Sequence, residues 1–224
     1  MSYELKFIEH FRNVPVFSLS DINQIIKNRI YAKKFIKKMI REGEAFKIKR
    51  GLYTLYKDPL LVSTFIRKPS YLSGVSALSF HRAISQIPKD VFCATSGKPY
   101  SLNFNGKIRY FNSRYFFGYK MEDYENFKVP VADNEKAIID SIGITPLHII
   151  EEALEEIEEE KMIFYLKKIK KSEVVKRIGY FLEKKGLNVY DKLKKHVNYK
   201  YIILDPLGNK KGKRNKKWRL IINS

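Results

Sequence analysis

Lys33, Lys34, Lys37, Lys38 and Arg41 fall where a helix would bring them onto one face, and Lys47, Lys49 and Arg50 follow within a short Lys-Ile-Lys-Arg-Gly stretch. Cations in such a row can lie along duplex phosphates, which carry one charge for every ~1.7 Å of helix axis. Interleaved with them, Phe35, Ile36, Met39 and Ile40 have the i, i+1, i+4, i+5 spacing of a buried stripe, which puts the charges on the solvent side. A second group, Asp133, Glu135, Lys136 and Asp140, has the residue types of a metal-assisted nuclease: carboxylates for a divalent ion with a lysine beside them. The structural reading of that group is the stronger. Asp133 and Asp140 stand two helical turns apart, Asp133 suits a helix N-cap, and Lys136 and Asp140 form an ordinary i, i+4 pair.

Other constellations are poorer. Gly74-Val75-Ser76-Ala77-Leu78 begins like a nucleophile elbow but lacks the second glycine that the tight strand-to-helix turn requires, so it reads as a helix start. His81 follows an apolar helix face and is expected to be a satisfied core or hinge residue. His10, His148 and His196 show no metal-ligand spacing with it or with Cys93. No catalytic residue, bound metal or cofactor is expected.

The chain of 224 residues carries a formal net charge of +20, yet is 44% hydrophobic and 14% aromatic. It can therefore bury a core while attracting polyanions. Charge alone also fits a lysine-rich or thermophilic proteome, in which lysine and glutamate cover every surface. Cys93 is the single cysteine, which excludes an intramolecular disulfide, and Val91-Phe92-Cys93-Ala94 reads as a buried strand. The amino terminus has no apolar signal core and no stretch approaches the ~18 apolar residues of a membrane span, so the expected location is the cytoplasm, without membrane contact.

The positioning elements read as follows. Residues 1–60 have the order of a winged helix-turn-helix. Tyr3, Phe7, Ile8 and Phe11 share one helix face; Val14-Pro15-Val16-Phe17 extends the chain; Ser20 or Asp21 caps a second helix with Ile22, Ile25 and Ile26 inward. A turn at Lys27-Asn28-Arg29 leads to the basic helix, 30–42, stopped by Gly43, and residues 46–49 and 52–55 alternate about Arg50-Gly51 as a hairpin. Asp58-Pro59 is the expected boundary. Residues 61–224 are expected to form a larger α+β domain, giving an α+β chain overall: a strand at 71–74, a helix over 75–84, short strands over 90–117 in an antiparallel sheet, a helix from Asp133 to Ile142, and a helical run from Pro146 to about Lys185. Two final strands, 199–204 and 218–222, flank a long basic loop.

That loop contains Lys210, Lys211, Lys213, Arg214, Lys216 and Lys217, whereas seven of the ten residues from Glu151 to Glu160 are glutamates. The loop is favoured as a second DNA contact over a mobile solvated segment. For the acidic stretch, the bland reading is a solvated helix face; the sharper ones are a docking surface centred on Glu151, Glu152, Glu155 and Glu156, or a cover for the chain's own lysines.

Several segments together resemble the AbiEi-type antitoxins of type IV toxin-antitoxin systems. They are Lys49-Arg50-Gly51-Leu52-Tyr53-Thr54-Leu55, Tyr71-Leu72-Ser73, Ser76-Ala77-Leu78-Ser79-Phe80-His81, Gln86-Ile87-Pro88, residues 130–140, Arg177-Ile178-Gly179-Tyr180-Phe181-Leu182, Leu204-Asp205-Pro206, and Gly212, Asn215, Trp218 and Arg219. The resemblance spans nearly the whole chain. It implies a DNA-binding regulator that represses its own operon through an amino-terminal winged helix and opposes a nucleotidyltransferase-like toxin through a carboxyl-terminal domain without established enzymatic activity. On that reading double-stranded operator DNA meets Arg29, Tyr31, Lys33, Lys34, Lys37, Lys38 and Arg41, while Lys47, Lys49 and Arg50 grip the adjacent backbone or minor groove. A stand-alone regulator without a toxin, and a metal-dependent nucleic-acid enzyme, are the alternatives.

Overall fold

A computed structural model describes residues 3–223. Near the amino terminus, α1 (Tyr3–Phe11) buries Phe7 and Phe11, one helical turn apart, and the short β1 (Phe17–Ser18) delivers Phe17 against them, its ring 4.1 Å from that of Phe11. The second helix, α2 (Leu19–Ile26), starts earlier than Ser20. Its N-cap is Ser18, whose Oγ accepts from Asp21 N at 3.3 Å while Asp21 Oδ2 accepts from Ser18 N at 2.7 Å. This reciprocal box satisfies two otherwise orphaned amides, so Asp21 belongs at the third helical position rather than at the cap.

Asn28 then caps α3 (Arg29–Arg41), accepting from the amides of Ile30 and Tyr31 at 3.1 and 3.0 Å. Phe35, Ile36 and Met39 of α3 pack with Phe7, Phe11, Phe17 and Ile22 into one core. A hairpin of β2 (Phe46–Lys49) and β3 (Leu52–Thr54) follows, turning at Arg50-Gly51 with Gly51 at φ +77°. Only a residue without Cβ adopts that backbone freely. The sheet order is β1-β3-β2, with a register shift between Lys47 and Lys49 that turns Ile48 inward and leaves both lysines exposed.

Asp58 and Pro59, where the sequence suggests a boundary, are the N-cap and first residue of α4 (Pro59–Ile66); Asp58 Oδ1 accepts from Leu60 N at 2.8 Å. Next come β4 (Ser70–Leu72), α5 (Gly74–Phe80), β5 (Val91–Thr95), β6 (Tyr100–Asn103), β7 (Lys107–Asn112), β8 (Tyr119–Tyr124) and β9 (Phe127–Ala132). These six strands form one sheet ordered β6-β7-β5-β4-β9-β8. It is mixed rather than antiparallel, because β5 and β7 pair in parallel, Cys93 opposite Tyr110. Helix α5 stops short of Ile84, since Arg82 takes a left-handed φ of 59°.

The remaining helices are α6 (Asn134–Ser141), α7 (Leu147–Ala153), α8 (Glu159–Ile169), α9 (Ser172–Lys184) and α10 (Tyr190–Leu193). A small sheet closes the chain, β10 (Ile202–Ile203), β11 (Lys213–Asn215) and β12 (Leu220–Ile222) in the order β10-β12-β11, so a strand occupies part of the expected basic loop. The whole is mixed α+β, with ten α-helices among the described residues. It packs as two compact units. One comprises residues through 72 with 89–112 and 121–130; the other comprises 73–88, 113–120 and 131–224. None of the described helices is long and apolar enough to cross a membrane.

The second unit is keyed to Trp218, the sole tryptophan, which is buried and donates from its indole Nε1 to Glu183 Oε2 at 2.9 Å. Its ring lies against Gly179 of α9, where any Cβ would fall inside the indole. Gly179→Ala should therefore destabilise the protein by about 1–3 kcal/mol, the usual cost of overpacking a core. Urea unfolding followed by Trp218 fluorescence is the measurement; an unchanged midpoint would mean that the indole repacks freely.

Candidate nucleic-acid interface

On α3 the alternation of charge and apolar residue sorts by face. Lys33, Lys34, Lys37, Lys38 and Arg41 are all exposed, Phe35, Ile36 and Met39 are buried, and Ile40 is intermediate. The cations are not equivalent. Lys38 is ion-paired to Glu4 of α1 and lies 3.9 Å from Glu42, and the hydrogen bond it donates to Glu4 raises its pKa above the usual lysine value. A groove lined by Tyr3, Glu4, Tyr31, Lys34, Phe35 and Lys38 surrounds this pair, with the rings of Tyr3 and Tyr31 edge to face at 6.0 Å. Lys38 is thus partly neutralised, whereas Arg29, Lys33, Lys34, Lys37 and Arg41 line the open face.

Sequence reasoning passed over Ile30, which is 72% exposed in the first turn of α3. Its signal was available: it stands three and four residues before Lys33 and Lys34, so helical spacing places it on the charged face and not in the core stripe. An exposed apolar side chain there suits contact with a thymine methyl group. In the hairpin, Lys47, Lys49 and Arg50 project from the exposed side while Ile48 is buried.

The carboxylates considered for a metal are engaged by the chain itself. Asp133 Oδ1 caps α6 at Lys136 N (2.9 Å), and its Oδ2 accepts from Tyr165 Oη at 2.7 Å. Glu135, 2% exposed, accepts from Glu158 N at 2.8 Å and pairs with Lys161 at 2.8 Å. Partial burial works against the charge of Lys161, but Glu135 and Asp133 together raise its pKa. Lys136, fully buried, pairs with Asp140 and donates to Ser113 Oγ at 3.3 Å; Asp140 also accepts from Ser73 Oγ at 2.8 Å. Among the described residues no group of three or more His, Cys, Asp or Glu side chains has metal-binding geometry. His81 caps α5 and has its ring nitrogen 2.8 Å from the Ala132 carbonyl. Cys93 is buried on β5, with burial pushing its thiol up to about 12.

The acidic stretch is spread over α7, a 3-10 turn and the start of α8 instead of one helix face. Glu151 pairs with Lys184 at 2.5 Å and Glu155 with Lys185 at 3.0 Å, both on the end of α9, and Glu152 accepts from Ser85 N at 2.6 Å. The Glu156 carbonyl accepts from Asn134, leaving its carboxylate on the surface. Three of its seven glutamates, Glu151, Glu155 and Glu159, therefore cover the chain's own lysines.

In the basic carboxyl-terminal segment, Lys213 and Arg214 belong to β11, and Arg214 lies 5.4 Å from the Tyr201 ring. Lys217 pairs with Glu183 at 2.6 Å, whereas Lys210, Lys211 and Lys216 are exposed. The motif residues here converge: Arg177 donates to the Ile203 and Leu204 carbonyls, Asn215 Oδ1 accepts from Trp218 N at 2.9 Å, and Gly212 admits the Ile222 carbonyl where a Cβ would collide.

No family profile matches the chain, and no curated protein does. The fold is similar to that in the crystal structure of the RV2827C protein from Mycobacterium tuberculosis, with a TM-score of 0.69 at 12% identity over 97% of this chain and 89% of that one. The likeness is one of fold.

The buried pair on α6 has a measurable consequence. Asp140→Asn should cost about 3–5 kcal/mol, because it leaves the Lys136 ammonium without its carboxylate in the interior. Burial lowers the Lys136 pKa from its ordinary 10.5, and Asp140 works in the opposite direction. A charged lysine with a depressed folded pKa weakens the fold below that pKa, and the penalty fades as pH rises towards the unfolded value. The deficit of Asp140→Asn should accordingly be largest near neutral pH and shrink on the alkaline side in denaturant titrations. A deficit that grows with pH would show that Lys136 is not its source.

Proposed function

We propose that the protein is a duplex-DNA-binding regulator in which residues 1–60 act as a winged helix-turn-helix. Helix α3 enters the major groove, and the β2–β3 hairpin is the wing on the adjacent backbone. The observation that carries the reading is the sorting of α3: Lys33, Lys34, Lys37 and Arg41 solvent-facing, directly opposite Phe35, Ile36 and Met39 in the core, with Lys47, Lys49 and Arg50 exposed on the hairpin that follows. A rigid helix with its charges held opposite a packed stripe presents them to phosphates with little ordering cost. The engagement of Asp133, Glu135 and Asp140 by Lys136, Lys161 and Tyr165 favours binding over metal-dependent cleavage.

The resemblance to AbiEi-type antitoxins extends the proposal to autorepression and to a protein partner, a nucleotidyltransferase-like toxin met by the second unit. Of the acidic residues first suggested for that contact, Glu155 and Glu156 remain exposed, whereas Glu151 and Glu152 are half-buried and hold α9 and Ser85.

Replacing Lys33, Lys34 and Lys37 together by Ala should lower the slope of log affinity against log salt by about 2.7, three phosphates at about 0.9 each, while thermal stability is retained. Glu4→Gln should do the reverse, freeing Lys38 and steepening the slope by up to about 0.9. Gel-shift titrations across salt concentrations, with magnesium or manganese present in a parallel series, read both effects and whether the DNA stays whole. Equal slopes for the wild type and the triple variant, or cleaved duplex, would overturn the reading.

A further inference from the structure

The wing does not end at Arg50. Lys49 Nζ lies 5.7 Å from the ring centroid of Tyr100, the first residue of edge strand β6, and the guanidinium carbon of Arg67 lies 5.9 Å from the same centroid. Tyr100 is 39% exposed and stacks on Tyr110 of β7 at 6.1 Å with an interplanar angle of 28°. A ring fixed in this way can hold two cationic heads by cation–π attraction. They are presented as a pair, with part of their side-chain entropy already lost before any ligand arrives.

The turn between β5 and β6 completes the patch. Asn112 Nδ2 donates to the carbonyls of Ser96 and Gly97 at 3.3 and 3.0 Å, fixing the turn against β7. Gly97 lets Arg67 lie against the turn, since a Cβ at 97 would come within 2.5 Å of a guanidinium nitrogen. Lys98, next in the turn, is exposed. Carboxylates are scarce throughout: between Ala45 and Met121 the chain has only Asp58 and Asp90. Asp58 caps α4 and accepts from Tyr124 Oη at 2.6 Å, and Asp90 pairs with Arg109 at 2.6 Å.

We propose that the duplex-binding surface runs on from the wing over Tyr100 to Arg67 and Lys98, where it holds a further stretch of DNA backbone through sequence-independent phosphate contacts. The inference rests on the DNA reading above and adds a second set of contacts to it. Because the patch continues from Lys49, which grips backbone in the wing, the phosphates it meets are those flanking the site read by α3. It therefore contributes only when the duplex is long enough to reach it.

The test uses the full chain and fluorescein-labelled duplexes of about 12 and about 30 base pairs, one and three helical turns, in anisotropy titrations between about 50 and about 200 mM salt. Lys98→Gln should lower the salt slope on the long duplex by about 0.9 and Arg67→Gln/Lys98→Gln by about 1.8, with no change on the short one. Lys98 is exposed, so its single variant decides the matter should the Arg67 variant lose stability in a thermal melt. Equal slopes for Lys98→Gln and wild type on the long duplex overturn the extension. If the α3 triple variant still loses affinity in the same assay, the DNA reading survives that result; if it does not, both fall. Tighter binding of a labelled single strand that Tyr100→Ala abolishes, with duplex binding unaffected, also overturns the proposal, since it would make Tyr100 a base-stacking platform.

Discussion

The structure has to place 44 lysines and arginines with 24 aspartates and glutamates, and this imbalance governs where charge can go. Carboxylates are used chiefly as internal ties: Glu4 to Lys38, Asp90 to Arg109, Glu135 to Lys161, Asp140 to Lys136, Glu151 to Lys184, Glu155 to Lys185 and Glu183 to Lys217. The exposed pairs among them contribute little to stability, about 0–1 kcal/mol each. Their effect is on the distribution of field. Positive charge is muted around α9 and left high on the open face of α3, the hairpin and the β5–β6 turn.

Inside the second unit the same scarcity takes another form. Lys136 and Asp140 are buried together, and desolvation of such a pair costs several kcal/mol per ion before their attraction offsets it. What makes the pair tenable is its surroundings, with Ser113 and Ser73 supplying further hydrogen bonds. Asp133 and Glu135, on the other side of the same helix start, fasten α6 to Tyr165, Lys161 and the Glu158 amide, tying the α6 start to α8. Residues that share the chemistry of a metal centre here orient helices, since each carboxylate already has a cation, hydroxyl or amide donor at hydrogen-bonding distance.

A contrast runs between the two ends of the chain. The amino-terminal core is aromatic, three phenylalanines meeting around Phe7, so α3 is anchored by apolar packing and its charged face is free of structural duty apart from Lys38. At the carboxyl end, polar anchors dominate. Arg177 and Lys176 of α9 hold the strap over 198–204 through its carbonyls and Asn198, and Trp218 closes over Gly179. Lys176 and Arg177 there serve as clips, and Lys217 of the basic segment is tied to Glu183.

Local periodicity was enough to determine the features that depend on neighbours within a few residues. The stripe of α3, the turn at Arg50-Gly51, the cap at Asp133 and the buried strand around Cys93 all follow from i, i+4 or i, i+2 spacing and a single special residue. Where the chain's partner lies far along the sequence, the residues alone do not decide. Parallel pairing of β5 with β7, the capture of Lys38 by Glu4 across 34 positions and the meeting of Lys49, Tyr100 and Arg67 are such cases. The cap of α2 at Ser18 is a milder version of the same case, since Ser18, Ser20 and Asp21 all favour a cap and the packing of Phe17 against Phe11 fixes the chain just before Ser18. Pattern thus specified which face of each helix is apolar; tertiary contact decided which of the remaining charges have partners, because that depends on distances that no local spacing encodes.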